Sequence, residues 1–183
     1  MTRADAYALL TEYVTDTGLV RHMLSVEAAM RAYARHYGED VERWGLTGLI
    51  HDFDWERHPG ADLHPMKGVE VLRAAGWPED VCRAVLGHAT YSGVPRDTLM
   101  ARALFACDEL SGFLVACALV TPERKLASVQ VDSVKKKMKS TGFAKNVNRD
   151  DIVNGAAELG VGLDGHIAFV RDAMLTIAGE LGL

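Results

Sequence analysis

The segment GLIHDFDWE, residues 48–56, places an adjacent histidine and aspartate, His51 and Asp52, at the end of an apolar stretch. The preceding residues predict a helix from about Asp40 to His51, whose inner face carries Trp44 and the small Gly48. A carboxylate at the end of a buried helix is costly unless it is paired or bound to a metal. The His51–Asp52 pair therefore marks a candidate site.

Helical periodicity extends on both sides of this pair, and alternating strand patterns are scarce. The face shared by Leu19, His22, Val26, Met30 and Tyr33 predicts a helix from Leu19 to Tyr37. Further helices are predicted from near Pro65 to Gly76, from Pro78 to His88, from Thr98 to Val120 with Asp97 as N-cap, from Thr121-Pro122 onward, from Asp150 to Leu159, and from Gly165 to Gly179 with Asp164 as cap. We predict an all-α fold with 1–183 as one domain, in which 19–120 hold the candidate site and the helices of 121–183 complete the core or form a lid.

Composition excludes several classes of protein. The chain has 183 residues, 49% of them hydrophobic, and its 20 Lys and Arg against 25 Asp and Glu give a net charge of −5. An acidic balance argues against a general nucleic-acid binder. The longest apolar run, Phe113 to Val120, is far shorter than the ~20 residues that a membrane span needs. The N-terminus lacks the apolar core of a secretory signal and the three cysteines lie in apolar stretches, so we expect a cytoplasmic protein with reduced thiols.

Other predicted helices also carry polar side chains on apolar faces. His22, His88 and Asp108 each interrupt such a face. Taken singly, each has a simpler explanation, because an inward histidine is often a hydrogen-bonded core residue, and Asp52 could cap a helix or pair with Arg57. Taken together, imidazoles and carboxylates without thiolates are the usual ligands of Fe, Mn, Co, Ni or Zn, and they disfavour a structural zinc site.

The order of these residues along the chain is similar to that of a known family. The motifs RHMLSVE, GLIHDFDWE, LHPMKGVEVL, VLGHATYSG and FACDELSG contain, in order, His22, His51 with Asp52, His64, His88 and Asp108. Over residues 19–120 this set resembles the HD-domain superfamily of metal-dependent phosphohydrolases. HDFDWE together with CDELSG also resembles a bacterial subgroup of small predicted HD hydrolases. The resemblance implies an HD-domain-like helical bundle with extra C-terminal helices.

The resemblance also implies a role for each of the six residues. His22, His51, Asp52 and Asp108 match the core metal ligands of the superfamily. His64 and His88 match the two extra histidines of its binuclear members, in which the aspartate at the position of Asp52 bridges both metals. The implied cofactor is one or two divalent transition-metal ions, with Fe or Mn favoured over Co, Ni or Zn.

Two details of the motifs refine this comparison. His64 is preferred to His58 because it starts the pattern His-Pro-x-x-Gly, which ends at Gly68 and occurs in binuclear members. Many of those members carry a lysine three residues after the aspartate of the doublet, whereas Trp55 occupies that position here. The cyclic-dinucleotide phosphodiesterase activity of some relatives is therefore not carried over to this chain.

The implied reaction is hydrolysis of a nucleotide or another small phosphoester by metal-hydroxide attack. Asp52 would bridge the ions, and Asp54 or a metal-bound water would handle protons, although Asp54 could equally be an exposed cap. Lys67 is a candidate for both catalysis and substrate binding, because it lies about one helical turn after His64 and is expected to face the same way.

Other cations are candidates for binding substrate phosphate. Arg96 follows His88 in a predicted loop, with Tyr91 nearby. The run Lys135–Lys137, with Lys139, could reach over the site, or it could be a solvated helix face.

Two other functions remain open at this point. Some HD-fold proteins use the same ligand set to hold two irons and cleave C–C or C–P bonds with dioxygen. A non-catalytic module that senses a ligand is the third possibility. The expected partner is a small-molecule phosphoester, without general nucleic-acid or membrane binding, and the sequence gives neither the substrate nor the oligomeric state.

Overall fold

A computed structural model describes all 183 residues of the chain. They form ten α-helices and two short 3-10 turns, with no β-strand, so the predicted all-α class is confirmed. None of these helices is both long enough and apolar enough to cross a membrane. The helices are α1 (Arg3–Tyr13), α2 (Thr17–Tyr37), α3 (Val41–Ile50), α4 (Met66–Ala74), α5 (Glu79–His88), α6 (Leu99–Leu119), α7 (Val131–Met138), α8 (Arg149–Leu159), α9 (Leu163–Leu175) and α10 (Ala178–Leu181).

A glycine brings α3 into close contact with α2. A Cβ atom at Gly48 would lie 2.9 Å from the backbone oxygen of Val26, which cannot move aside as a flexible side chain can. The close approach of the two helices therefore depends on glycine at this position. Since His51 follows α3 directly, the contact also determines where the predicted site lies relative to α2.

Helix α6 lies at the centre of the bundle and contacts α2, α5, α8 and α9. Its buried residues occupy nearly every face, as expected for a helix that is surrounded by others. Helices after residue 120 belong to the same hydrophobic cluster, because Ile152 of α8 and Ile167 of α9 are fully buried with Leu104 and Phe113 of α6. The only acidic residues of α6 are Asp108 and its neighbour Glu109, near the middle of the helix.

The prediction that a helix begins at Thr121-Pro122 is wrong. The Thr121 hydroxyl donates to the Ala118 carbonyl at 2.8 Å, so Thr121 ends α6 instead of starting a new helix. Arg124 then has a φ of 52°, in the left-handed region that an α-helix does not contain. The next α-helix begins only at Val131.

Two predicted N-caps are also wrong, by one or two positions. Thr98 and not Asp97 caps α6, by accepting a hydrogen bond from the backbone amide three residues on. Helix α9 begins at Leu163, so Asp164 lies within its first turn. Neighbouring residues that are all good caps cannot be distinguished by pattern alone.

The sequence pattern also did not predict helix α1, which starts with a capping box.

We expect Gly155→Ala to destabilise the fold. Gly155 lies on α8, and a Cβ there would come within 2.6 Å of the Ala106 backbone of α6, so the two helices would have to separate. Overpacking of this kind costs about 1–3 kcal/mol. The matched control is Gly165→Ala in α9, where no atom lies within 4 Å of the new Cβ and the helix gains about 0.5–1 kcal/mol. Denaturant unfolding measures both, and equal stabilities of the two variants would contradict the expectation.

Candidate metal centre

Four side chains from three helical segments meet beside the end of α3. Nε2 of His22, from α2, lies 3.0 Å from Oδ1 of Asp108, from α6, and 3.3 Å from Nε2 of His51. The His51 Nε2 lies 3.3 Å from the same Asp108 oxygen and 3.7 Å from Oδ2 of Asp52. One ligand atom from each residue lies within 4.8 Å of all the others, so these four residues could hold one metal ion.

A second group of ligands shares Asp52. Oδ1 of Asp52 lies 3.1 Å from Nε2 of His64, just before α4, and 3.0 Å from Nε2 of His88, the last residue of α5. The two histidine nitrogens are 3.3 Å apart. Each oxygen of the Asp52 carboxylate thus faces a different group of histidines, and the three residues could hold a second ion.

Two of the histidines are oriented by helix ends. The His51 Nδ1 donates to the Gly48 carbonyl at 2.8 Å, and the His88 Nδ1 donates to the Val85 carbonyl at 2.5 Å. Both carbonyls belong to the last turn of a helix, where carbonyl groups have no intrahelical partner. Since a carbonyl only accepts, Nδ1 must carry a proton, so in the neutral imidazole the lone pair lies on Nε2, where it can bind a metal.

Asp54 orients a third histidine, His64. Its carboxylate is fully buried and accepts hydrogen bonds from the His64 Nδ1 and from the Gly68 backbone amide, both at 2.8 Å. A Cβ at Gly68 would lie 2.6 Å from this carboxylate, so the glycine of the His-Pro-x-x-Gly pattern makes room for Asp54. The alternative of Asp54 as an exposed cap is therefore wrong, and Asp54 does not line the cavity described below.

The histidines and carboxylates of the two groups shift one another's pKa values. Burial lowers the pKa of His51, but the charges of Asp52 and Asp108 outweigh burial and raise this pKa to about 9. Burial also opposes protonation of His64, whereas the neighbouring carboxylates of Asp52 and Asp54 raise its pKa to about 9. Although burial works against it, the neighbouring histidines hold the pKa values of Asp52 and Asp108 well below their usual range. The carboxylates therefore stay ionised and attract positive charge.

Two observations show that these residues fit metal ions. Ligand atoms that share one ion at ~2.0–2.2 Å lie roughly 3 Å apart, and the closest pairs in each group are separated by 3.0 Å. In addition, the Asp52 Oδ1 is buried without a hydrogen-bond partner, although two histidine nitrogens lie beside it. A buried anionic oxygen without a partner is costly unless a cation binds it.

Comparison with known proteins agrees with this geometry. The family described as HD domain matches residues 19–112, just over half of the chain. The chain belongs to the HD-domain family. All six residues of the two ligand groups lie within the matched range, and the resemblance inferred from their order is confirmed. No curated protein and no solved structure is similar enough to count as a match.

The HD-domain site opens into a cavity of about 660 Å³. Five of the six candidate ligand residues line it, all except the fully buried His51, and so does Tyr91, which was predicted to lie near the substrate. The residues that sequence reasoning missed include Trp55, Phe105, Glu109, Asn146, Asn148 and Asp151. Glu109 could have been found as the neighbour of Asp108 in CDELSG. Residues 146–151 gave no signal, because helical periodicity does not determine the path of the turns before α8.

No lysine or arginine lines this cavity. The expectation that Lys67 faces the same way as His64 is wrong, because α4 begins at Met66 and the two residues do not share a helix. Lys67 is instead exposed and pairs with Glu70 at 2.8 Å.

Arg96 and the lysine run also lie outside the cavity, in contrast to the prediction. Arg96 donates to the Glu158 carboxylate at 2.6 and 2.7 Å and stacks on the Phe105 ring. Lys135, the first residue of the run 135–139, pairs with Asp164 of α9 at 2.8 Å. Arg96 and Lys135 are therefore engaged in ion pairs with α8 and α9, and neither lines the cavity.

We expect metal affinity to rise with pH. Because the pKa values of His51 and His64 are about 9, an ion must displace a proton from each group at neutral pH. Each displaced proton makes the apparent affinity about tenfold tighter per pH unit, up to about pH 9. Calorimetric titration with Mn²⁺ at about pH 6.5 and about pH 8.5, in buffers of different ionisation enthalpy, counts these protons. His58→Ala, outside both groups, should leave the slope unchanged, and a pH-independent affinity would contradict the assignment of the ligands.

Proposed function

We propose that this HD-domain protein is a metal-dependent phosphohydrolase acting on a nucleotide or another small phosphoester. The main support is Asp52, whose two oxygens each face a separate group of histidines. A carboxylate shared by two cations ~3.5–4 Å apart is an arrangement suited to in-line displacement at phosphorus.

Both ligand groups would hold a divalent ion. The first would use His22, His51, Asp52 and Asp108, and the second would use Asp52, His64 and His88. Mixed imidazole and carboxylate donors suit Fe, Mn, Co, Ni or Zn, and we favour Fe or Mn. All three cysteines are buried outside these groups, so the donor set lacks the thiolates of a structural zinc site.

The residues of the chain itself prepare the site for this chemistry. When bound, the ions supply an acidified water and positive charge for the phosphoryl oxygens. The carbonyls of Gly48 and Val85 and the carboxylate of Asp54 hold three imidazole rings in the orientation that presents Nε2. We assign Asp54 a positioning role, because its buried oxygens already accept hydrogen bonds from His64 and Gly68.

A second candidate is a di-iron oxygenase of the same fold. The observation that favours it is the cavity wall, which has no lysine or arginine to meet a phosphate dianion. Hydrolysis remains the preferred function, because two divalent ions would supply that positive charge themselves.

The test uses protein purified without oxygen. Elemental analysis is followed by assays of nucleotides and small phosphoesters with added Mn, Fe, Co or Ni. We expect metal to be retained and at least one phosphoester to be hydrolysed under anaerobic conditions. Turnover that requires dioxygen would identify the oxygenase instead. Weak metal retention with no turnover would indicate the non-catalytic sensing module.

Variants of the two ligand groups should differ in metal content. Asp52→Ala removes the shared ligand and should lower both occupancy and activity by more than about 100-fold. His88→Ala leaves the first group intact and should reduce the content from two ions to one. His36→Ala, an exposed histidine outside both groups, is the control. Elemental analysis of the purified variants gives the result, and two ions in His88→Ala would show that His88 is not a ligand.

A further inference from the structure

The cavity carries more negative charge than its metal ligands account for. Besides Asp52 and Asp108, the carboxylates of Glu109 and Asp151 line it, and no lysine or arginine does. The positive charge of Arg96 is close enough to favour the ionised form of Asp151, but the Arg96 guanidinium forms its ion pair with Glu158, outside the cavity. Two divalent ions would neutralise the four carboxylates. A phosphate dianion would then make the cavity negative again, and an anionic organic part would increase this charge whereas a cationic part would reduce it.

The part of the cavity wall that contains Asp151 is held in place by the C-terminal part of the chain. Asn146, Asn148 and Asp151 belong to the turns before α8 and to its first turn. The Arg149 guanidinium donates to the backbone carbonyls of residues 143, 144 and 147 and so fixes the path of these turns. Asn148 caps α8 with its oxygen and donates from Nδ2 to Asp151 at 2.7 Å, so the Asp151 side chain is oriented as well.

The same cavity also offers surface for an organic group. Trp55 and Tyr91 line it and are 40% and 51% exposed, and Phe105 forms part of the wall. Exposed aromatic side chains next to oriented carboxylates are typical of sites that bind a ligand with both apolar and polar parts. The cavity therefore has features beyond those that two metal ions and a phosphate require.

We propose that Glu109 and Asp151 bind the organic part of the substrate, and that this part carries hydroxyl or ammonium groups. The inference rests on the proposed function, since it takes the phosphoryl group to lie at the two histidine groups. Carboxylate oxygens accept hydrogen bonds, so their partner on the ligand must be a donor. An apolar or anionic organic part would cover carboxylate oxygens that have no other hydrogen-bond partner, such as the Asp151 Oδ1, which is unfavourable.

Binding of inert phosphonates tests this inference without requiring turnover. The probes are alkylphosphonates of two chain lengths, each ending in an amino, a hydroxyl or a methyl group, titrated anaerobically into the Mn²⁺-loaded protein. We expect one or both donor-bearing probes to bind about 10- to 100-fold more tightly than the methyl probe of the same length. A further preference for the amino over the hydroxyl probe would identify ammonium as the group that is recognised.

Isosteric variants assign the preference to the two carboxylates. Glu109→Gln and Asp151→Asn should each reduce the ratio of donor-bearing to methyl affinities at least about fivefold. Asp150→Asn is the matched control, because Asp150 is exposed on the same turn of α8 and does not line the cavity. Elemental analysis of each variant shows whether the metal content is retained, which separates an effect on the organic part from loss of an ion.

The possible outcomes separate this inference from the proposed function. Equal binding of all probes, or a preference that persists in both Glu109→Gln and Asp151→Asn, would overturn the inference and leave the phosphohydrolase proposal standing. No binding of any phosphonate by the metal-loaded protein would count against the phosphohydrolase itself, and the inference would fall with it.

Discussion

The whole arrangement depends on burying the Asp52 carboxylate among histidines from separate parts of the chain. A carboxylate removed from water costs several kcal/mol, comparable to the net stability of a domain, unless positive charge compensates it. Here the compensation comes from His51, adjacent in sequence, and from His64 and His88, which reach Asp52 only when α4 and α5 are packed. The site and the fold are therefore not independent, because the same contacts that gather the ligands make the buried charge tolerable.

Two glycines, Gly48 and Gly68, determine where the histidines around Asp52 lie and how they are oriented. Gly48 allows α3 to approach α2 closely, and its carbonyl accepts the hydrogen bond from the His51 Nδ1. One residue thus both places and orients His51. Gly68 has a similar role for His64, but acts through Asp54. Its lack of a side chain leaves space for the Asp54 carboxylate, its amide donates to that carboxylate, and the carboxylate in turn orients His64. Substitution at either glycine would displace a ligand without touching it directly.

Most of the candidate ligands could be predicted from the sequence because they contradict their local pattern, whereas His64 was identified only through the resemblance of its His-Pro-x-x-Gly motif. A histidine or carboxylate on an apolar helical face is costly, so His22 and Asp108 are conspicuous without any knowledge of the tertiary structure. Predictions that depended on which way a side chain faces, or on which end of a helix a residue occupies, failed at helix boundaries. Lys67 was related to His64 by a spacing that holds only within one helix, and Thr121 was assigned to a helix start when it ends α6. Contacts between distant turns, such as those that bring Asp151 to the cavity, have no periodic signal at all.

The placement of the cations has a consequence for how the site works. Lys67 and Lys135 are held in pairs at the surface, where an ion pair contributes about 0–1 kcal/mol. The partly buried Arg96 is paired with Glu158. The cavity itself has only carboxylates, amides, imidazoles and aromatic rings. The positive charge that meets an anionic ligand must then come from bound metal or from protonated histidines. Because metal and protons compete for the same histidines, affinity for the ligand, metal occupancy and pH are thermodynamically linked. A protein with lysines in the wall would keep a cation for the anion at any neutral pH, whereas in this chain the only protein cations available at the site are the histidines that bound metal would deprotonate.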